Sequence, residues 1–304
     1  MTKYKIVTDV TNDLTAEERA KLGIIAVSAF ASVDNVDIEI DDADDFYEKL
    51  VNGTYAAGHL HTGAGNEFMA REAFDQAVAE TDEDTVIVYA ATSEHISRGT
   101  VQSHRLALEH CANDNPERTF LYVPTYCTSN GQALCLQYLA QYTGDDIIGY
   151  ASDIGKHIVH LFTEREFTYS LMSGRYESAG VRRAAHFLES VKFSPWMYFP
   201  SDNNLQFDLR KIMRGDLVIR RWVKYYAQHH IKPEDATCEL DRVLRIGYGH
   251  KQEIPRAKFF IELLQRDVPD FDPNLVQLRH VGPFVGAHTG PTCLSIFFRQ
   301  DETR

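Results

Sequence analysis

Short β-branched runs alternate with amphipathic stretches through the first half of the chain. Lys5-Ile6-Val7-Thr8-Asp9 is apolar at its centre and polar at its end, the pattern of a short buried strand. From Leu14 to Leu22 the apolar positions fall at helical spacing, and Thr15 sits where an N-cap belongs. Ile24-Ile25-Ala26-Val27 predicts a second strand. The acidic run Asp41-Asp42-Ala43-Asp44-Asp45 then opens a helix through Leu50, where carboxylates complement the positive end of the helix dipole; that role accounts for these acids without a metal. Glu67 to Glu80 predicts a helix, Thr85 to Tyr89 a buried strand, Thr100 to Cys111 a helix and Thr119 to Val123 another strand. Strands that alternate with helices imply parallel crossover units. Ligands of such sheets lie beyond the carboxyl ends of the strands, which points to the loops after Asp9, Tyr89 and Val123, all rich in Ser and Thr.

Helices from Gly131 to Tyr142 and from Ser152 to Leu161 carry the chain to Glu166-Phe167-Thr168-Tyr169, where the pattern changes. Beyond it, Trp196 to Phe199, Leu205 to Phe207 and Val243 to Tyr248 read as strands, with helices at Asp216 to Gln228 and Pro255 to Leu264. The expected organisation is therefore an N-terminal parallel α/β domain over residues 1–165 and a smaller α+β domain over residues 166–304. A length of 304 residues suits two domains, and no repeat of fixed period is present.

Charge and composition narrow the function. With 31 Lys and Arg against 44 Asp and Glu, the formal net charge of -13 argues against a nucleic-acid partner, which requires a basic surface. It also means that any anionic ligand must be met by a pocket of locally reversed sign. The N-terminal segment lacks the apolar core and cleavage site of a signal peptide, and no stretch approaches the roughly 20 apolar residues of a membrane-spanning helix, so a cytoplasmic protein is expected. Five scattered cysteines, none spaced as CxxC, read as reduced packing residues, neither disulfides nor a zinc site.

The segment with most chemistry is Val281-Gly282-Pro283-Phe284-Val285-Gly286-Ala287-His288-Thr289-Gly290-Pro291. It reads as a tight glycine-rich loop whose backbone can approach a ligand and whose His288 and Thr289 can donate hydrogen bonds; alone, the reading as an ordinary turn outweighs this. Matches to a known family, in two further segments and in the end of this one, change its weight. Lys5 to Leu14 (KIVTDVTNDL) resembles the opening KIVTDSTADL of DegV proteins, Thr92 to Ser103 resembles their SSKLSGTYQS loop, and Gly286 to Pro291 is similar to their closing GAHTGPG. Val123 to Gln132 (VPTYCTSNGQ) is similar to VDSKSASMGQ, and Ser173-Gly174-Arg175-Tyr176 to the GGRI segment. These matches follow the family order and span nearly the whole chain.

The resemblance implies a two-domain DegV-like α/β fold: an N-terminal three-layer α/β/α domain and a C-terminal domain with a mostly antiparallel sheet, with a long-chain fatty acid held between them. It implies a non-catalytic lipid carrier without a cofactor, at most the substrate-binding subunit of a bacterial fatty-acid kinase. In the family, a threonine of a TSQPS segment and the serine of LSGT hold the acid group. Here the first segment reads His59-Leu60-His61-Thr62-Gly63-Ala64. Aligned without gaps, Leu60 takes the threonine position; with a loop two residues shorter, Thr62 does. A leucine cannot satisfy a carboxylate, so Thr62 is expected to act, assisted by His61, although both residues also fit a capping role for the helix near Glu67. Ser97 supplies the second hydroxyl. The adjacent Arg98 either pairs with the acid head or faces solvent at a helix start, where a cation is slightly unfavourable. Arg175 matches the arginine associated with the kinase subunit, and a guanidinium suits phosphate. Two other classes compete: a regulatory or interaction protein that has lost its ligand, and a hydrolase-like enzyme using Asp9, His288 and a loop serine. No GxSxG, P-loop or GxGxxG motif supports the latter.

Overall fold

A computed structural model describes residues 2–40, 42–56, 59–63, 65–165, 193–194, 196–199, 206–207 and 213–301. Arg175 lies outside the described residues. The chain divides into two compact units: one contains residues 1–30, 62–158 and 201–203, the other residues 31–61, 159–200 and 204–304.

The first unit is built on a four-stranded sheet in the order β2-β1-β6-β7, formed by β1 (Tyr4–Asp9), β2 (Ile25–Val27), β6 (Val86–Ala91) and β7 (Phe120–Pro124). Every pair is parallel, with Val7 opposite Ile25, Ile6 opposite Val88 and Val88 opposite Leu121. The strands are apolar on both faces because helices cover both. Val7, Ile87, Tyr89 and Ala91 pack against α3 (Glu67–Ala79) and α4 (Arg98–Asp114), through Phe74, Ala77, Val101 and Ala107. On the opposite face, Thr8 meets Gln132 of α5 (Ser129–Leu139), whose neighbour is α6 (Ile147–His157). This is the expected three-layer arrangement. Helix α1 (Ala16–Leu22) starts as its sequence predicts: the Thr15 hydroxyl accepts from Glu18 N and the Glu18 carboxylate accepts from Thr15 N, a complete capping box.

In the second unit, β8 (Ile158–Thr163), β10 (Met197–Phe199), β11 (Gln206–Phe207), β13 (Leu244–Tyr248), β14 (Val276–His280) and β15 (Leu294–Arg299) form a six-stranded sheet ordered β11-β10-β8-β15-β13-β14. The pairs β10/β11, β8/β10 and β13/β15 are antiparallel, and β13/β14 is parallel. Helices α7 (Leu217–His229) and α8 (Ile254–Asp267) cover it; Trp222, Ile219, Phe260 and Leu264 pack with Leu244, Ile246, Leu294 and Ile296. A two-stranded ribbon joins β9 (Phe193–Ser194) to β12 (Met213–Arg214). Residues 30–63 supply a small sheet of β3 (Phe30–Val33), β4 (Val36–Ile38) and β5 (Leu60–Gly63), together with α2 (Ala43–Val51), whose N-cap is Asp42 accepting from Asp45 N.

Three expectations are corrected. The helix predicted from Ser152 to Leu161 ends at His157, and Ile158 to Thr163 is a strand buried at every position. The glycine-rich stretch 281–291 is no loop: Pro283 to Thr289 forms a helix, α9, entered through Pro283 and terminated at Gly290 with φ +77°. Four cysteines are buried, as packing residues should be, whereas Cys238 is exposed.

Candidate functional site

The loops that follow β1, β6 and β7 are fastened to one another by buried polar side chains. Asp9, at the end of β1, is 2% exposed and accepts on one oxygen from Thr11 N at 3.0 Å and from the Thr11 hydroxyl. Its other oxygen accepts from Thr92 N at 3.0 Å and from Gln132 Nε2 at 3.3 Å. Gln132 also reaches the Thr8 hydroxyl at 3.1 Å, while Thr8 Oγ1 donates to Ala90 O at 2.7 Å. The β6 and β7 loops are tied directly, Ser93 N donating to Cys127 O at 2.9 Å and Thr92 Oγ1 to the same oxygen at 3.1 Å. Asp13 accepts from Ser129 Oγ and from Asn130 Nδ2, holding the start of α5. Asp13, Tyr126 and Ser129 adopt left-handed backbone conformations, with φ of 51°, 56° and 55°, which non-glycine residues hold only where the surroundings enforce them. Motif residues Thr8, Asp9, Thr92 and Gln132 thus form a clasp. Sequence reasoning took Asp9 as a candidate acid and gave Gln132 no role; both are organisers of the carboxyl end of the sheet.

Beside this clasp, Thr92, Ser93, Glu94, Tyr122 and Tyr126 line a cavity of about 220 Å³. Tyr122 Oη donates to Glu94 at 2.9 Å, and the Arg105 guanidinium lies 4.6 Å over the Tyr122 ring. Burial, then the Glu94 carboxylate, raises the Tyr122 phenol above its ordinary range, so it acts as a donor.

Of the predicted hydroxyls, Ser97 is half-buried at the N-cap of α4, its Oγ 2.6 Å from Thr100 Oγ1 and not used to cap the helix. Arg98, the first residue of α4, is exposed to solvent. Thr62 is half-buried and His61 exposed in β5, on opposite faces of the strand. Neither caps the following helix: Asn66 does, accepting from Met69 N at 2.9 Å. Leu60 is 8% exposed and packs with Phe46, Tyr47 and Ala287, so its position belongs to a core and not to an acid site.

In the second unit, His288 and Thr289 are half-buried on α9, and the Thr289 hydroxyl turns back to donate to Val285 O at 3.3 Å. Gly286 serves packing: a Cβ there would overlap the Tyr47 hydroxyl, which donates to Val281 O at 2.7 Å. Gly249 is likewise glycine because a Cβ would come within 2.6 Å of Pro291 O, next to the bond from His250 N to that oxygen at 2.7 Å. Around Tyr47 lies a polar cluster. His280 stacks on its ring with centroids 5.8 Å apart and faces Asp44 at 3.4 Å; Glu48 takes Lys251 at 2.5 Å and His250 at 3.3 Å. Lys251 and then His250 hold the Glu48 carboxyl below its usual range. Among the described residues, no group of three or more His, Cys, Asp or Glu is placed to hold a metal, and no helix is long and apolar enough to cross a membrane.

The folded chain is similar to solved DegV family structures over essentially its full length. A fatty-acid-binding DegV family protein of Thermus thermophilus superposes with a TM-score of 0.74 at 18% identity, covering 99% of this chain and 100% of that one. The chain has the DegV fold. A DegV family protein of Eubacterium eligens, loaded with heptadecanoic acid, gives a TM-score of 0.76 at 18% identity over 98% of this chain and 100% of that one. A stearic acid-binding protein of Eubacterium ventriosum gives 0.75 at 18% identity over 99% and 100%. In sequence, a DegV domain-containing protein of Clostridium perfringens is 25% identical over 312 residues, 99% of each chain. No family model matches. The resemblance to DegV proteins read from short motifs therefore extends to the whole chain, and the clasp around Asp9 is built from three of those motifs.

Proposed function

We propose that this protein binds a long-chain fatty acid and presents its carboxylate, serving as a carrier and not as an enzyme. The observation that carries this reading is the full-length fold shared with a protein loaded with heptadecanoic acid and with a stearic acid-binding protein. Enclosing an acyl chain contributes about 0.8 kcal/mol per CH₂, whereas the carboxylate must be met by hydrogen-bond donors. In this reading Ser97 and Thr62 supply the main hydroxyls. His61, Arg98, His288 and Thr289 contribute polar groups around the acid, and Arg175 contacts a separate fatty-acid kinase subunit. The half-burial of Ser97 and Thr62 suits a site that is shielded yet reachable, and the core position of Leu60 supports the shortened loop that assigns the role to Thr62. The exposure of Arg98 and His61 suits polar contacts made from the solvent side. A hydrolase reading is disfavoured by Asp9, both of whose oxygens are occupied by the clasp.

Native mass spectrometry of the purified protein, followed by lipid extraction, tests this directly. One acyl chain per monomer is expected, with weaker palmitate binding after Ser97→Ala or Thr62→Ala. A lipid-free protein that takes up no fatty acid refutes the carrier reading. Arg175→Ala is expected to leave palmitate binding intact and to reduce acyl-phosphate formation when a kinase subunit is supplied; unchanged phosphorylation removes Arg175 from the assignment.

A further inference from the structure

The loop that links β5 to α3 passes through a narrow gap at Gly65. A Cβ at this position would overlap the Ser28 carbonyl oxygen and stand 3.0 Å from both His104 Nε2 and Val27 Cγ1, so only a glycine backbone passes. His104 forms one wall of this gap and is 1% exposed. It belongs to α4, on the face that begins with Ser97 and continues through Thr100, at positions i, i+3 and i+7. Its ring lies edge-on to Tyr89 with centroids 5.4 Å apart, and Nδ1 is 3.0 Å from Tyr89 Oη. Nε2 is buried and turned to the Gly65 backbone without a hydrogen bond of ordinary geometry.

We propose that His104 is a positioning residue for the acid-group site: it holds the backbone that follows Thr62, at Gly65, against the helix that begins beside Ser97. This rests on the carrier reading above. One imidazole does two things here. With Nδ1 accepting from the Tyr89 hydroxyl, the neutral ring carries its hydrogen on Nε2, directed at the Gly65 backbone. The groups facing the ring are Tyr89 from β6, Asp9 from β1 and the Gly65 carbonyl; burial lowers the His104 pKa, and Asp9 and Gly65 oppose that shift. The ring is therefore an uncharged strut between Tyr89 and the Gly65 backbone, three residues after Thr62, on the helix that begins beside Ser97.

The test compares palmitate with hexadecanol, which keeps the chain and removes the acid. Near neutral pH, His104→Ala is expected to weaken palmitate about tenfold or more and hexadecanol less than about threefold, and His104→Gln, which can both accept and donate, to restore palmitate to within about threefold. Equal loss for both ligands, or wild-type palmitate affinity in folded His104→Ala, overturns the proposal. Amide hydrogen exchange in the ligand-free protein separates this from the carrier reading. Gly63, Gly65 and Asn66 are expected to exchange about tenfold faster in His104→Ala and at wild-type rate in His104→Gln. Unchanged exchange in His104→Ala overturns the positioning role whatever the ligand. A wild-type protein that binds no fatty acid, yet shows the accelerated exchange on substitution, refutes the carrier and leaves the strut. If His104→Ala does not fold, Tyr89→Phe, which removes only the hydroxyl partner, carries the same test: faster exchange at these amides supports the role, and none refutes it.

Discussion

Asp9 shows how an acid in a chemistry-bearing motif can be committed to architecture. Its oxygens receive two backbone N–H groups and two side-chain donors, so Asp9→Ala strands donors from the loops after β1 and β6 and from α5. That substitution is expected to cost about 2–4 kcal/mol in urea denaturation, with Asp9→Asn, which keeps one acceptor, costing less. Gly286 poses the complementary case, a position fixed by what is packed against it. Gly286→Ala forces a methyl into the Tyr47 hydroxyl and is expected to destabilise by about 1–3 kcal/mol; on a Tyr47→Phe background the penalty should shrink, giving a coupling that a double-mutant cycle reads out. An identical Gly286→Ala penalty in both backgrounds would show that the helix shifts as a body. Neither role was legible in sequence. Thr62 and Ser97 were reached only through the resemblance to the TSQPS and LSGT segments of DegV proteins; His104 lies just past the second of these, and a histidine within an amphipathic helix carries no local sign of what it faces.

At the scale of elements, periodicity found the helices and parallel strands of the first unit and misjudged those whose pattern is not periodic. Removing the α1 cap by Thr15→Ala is expected to cost about 1 kcal/mol, measurable as a fall in the denaturation midpoint without a change in slope. Strand β8 is buried on both faces, so Ile158 to Thr163 shows no alternation and merges with the helix before it. Helix α9 is seven residues between a proline and a glycine, punctuation that serves a short helix as well as a turn. The strands β3, β4 and β5 are too short to carry a pattern. Within β8, burial alone pushes the His160 imidazole down to about 3. Because the native ring resists a proton that the unfolded chain accepts near 6.5, its contribution is fully retained above that pH and is lost as pH falls below it, toward 3. His160→Leu should therefore show a shallower decline in stability between about pH 6.5 and 4 than the parent chain; parallel curves would remove His160 as a cause.

For the molecule as a whole, four of five thiols are buried, and burial raises the Cys111 thiol to about 11. A thiol reagent applied to the native protein should label Cys238 rapidly and the other four only on unfolding, which peptide mapping resolves; rapid labelling of Cys111 or Cys127 would contradict the packing described. The second unit is discontinuous in sequence, since residues 31–61 join a body whose other parts begin at residue 159. Tyr47 on α2 finds its partner, the Val281 carbonyl, 234 residues later. At about 5–20 residues per second, a ribosome takes roughly 12–47 s to supply that partner, during which Phe46, Tyr47 and Leu50 emerge without the α9 surface they will cover. A nascent chain of this protein thus carries an unsatisfied apolar helix through most of its own synthesis. Attachment of chaperones to that helix, or aggregation through it when translation stalls before residue 281, is the burden of drawing one unit from two ends of the message.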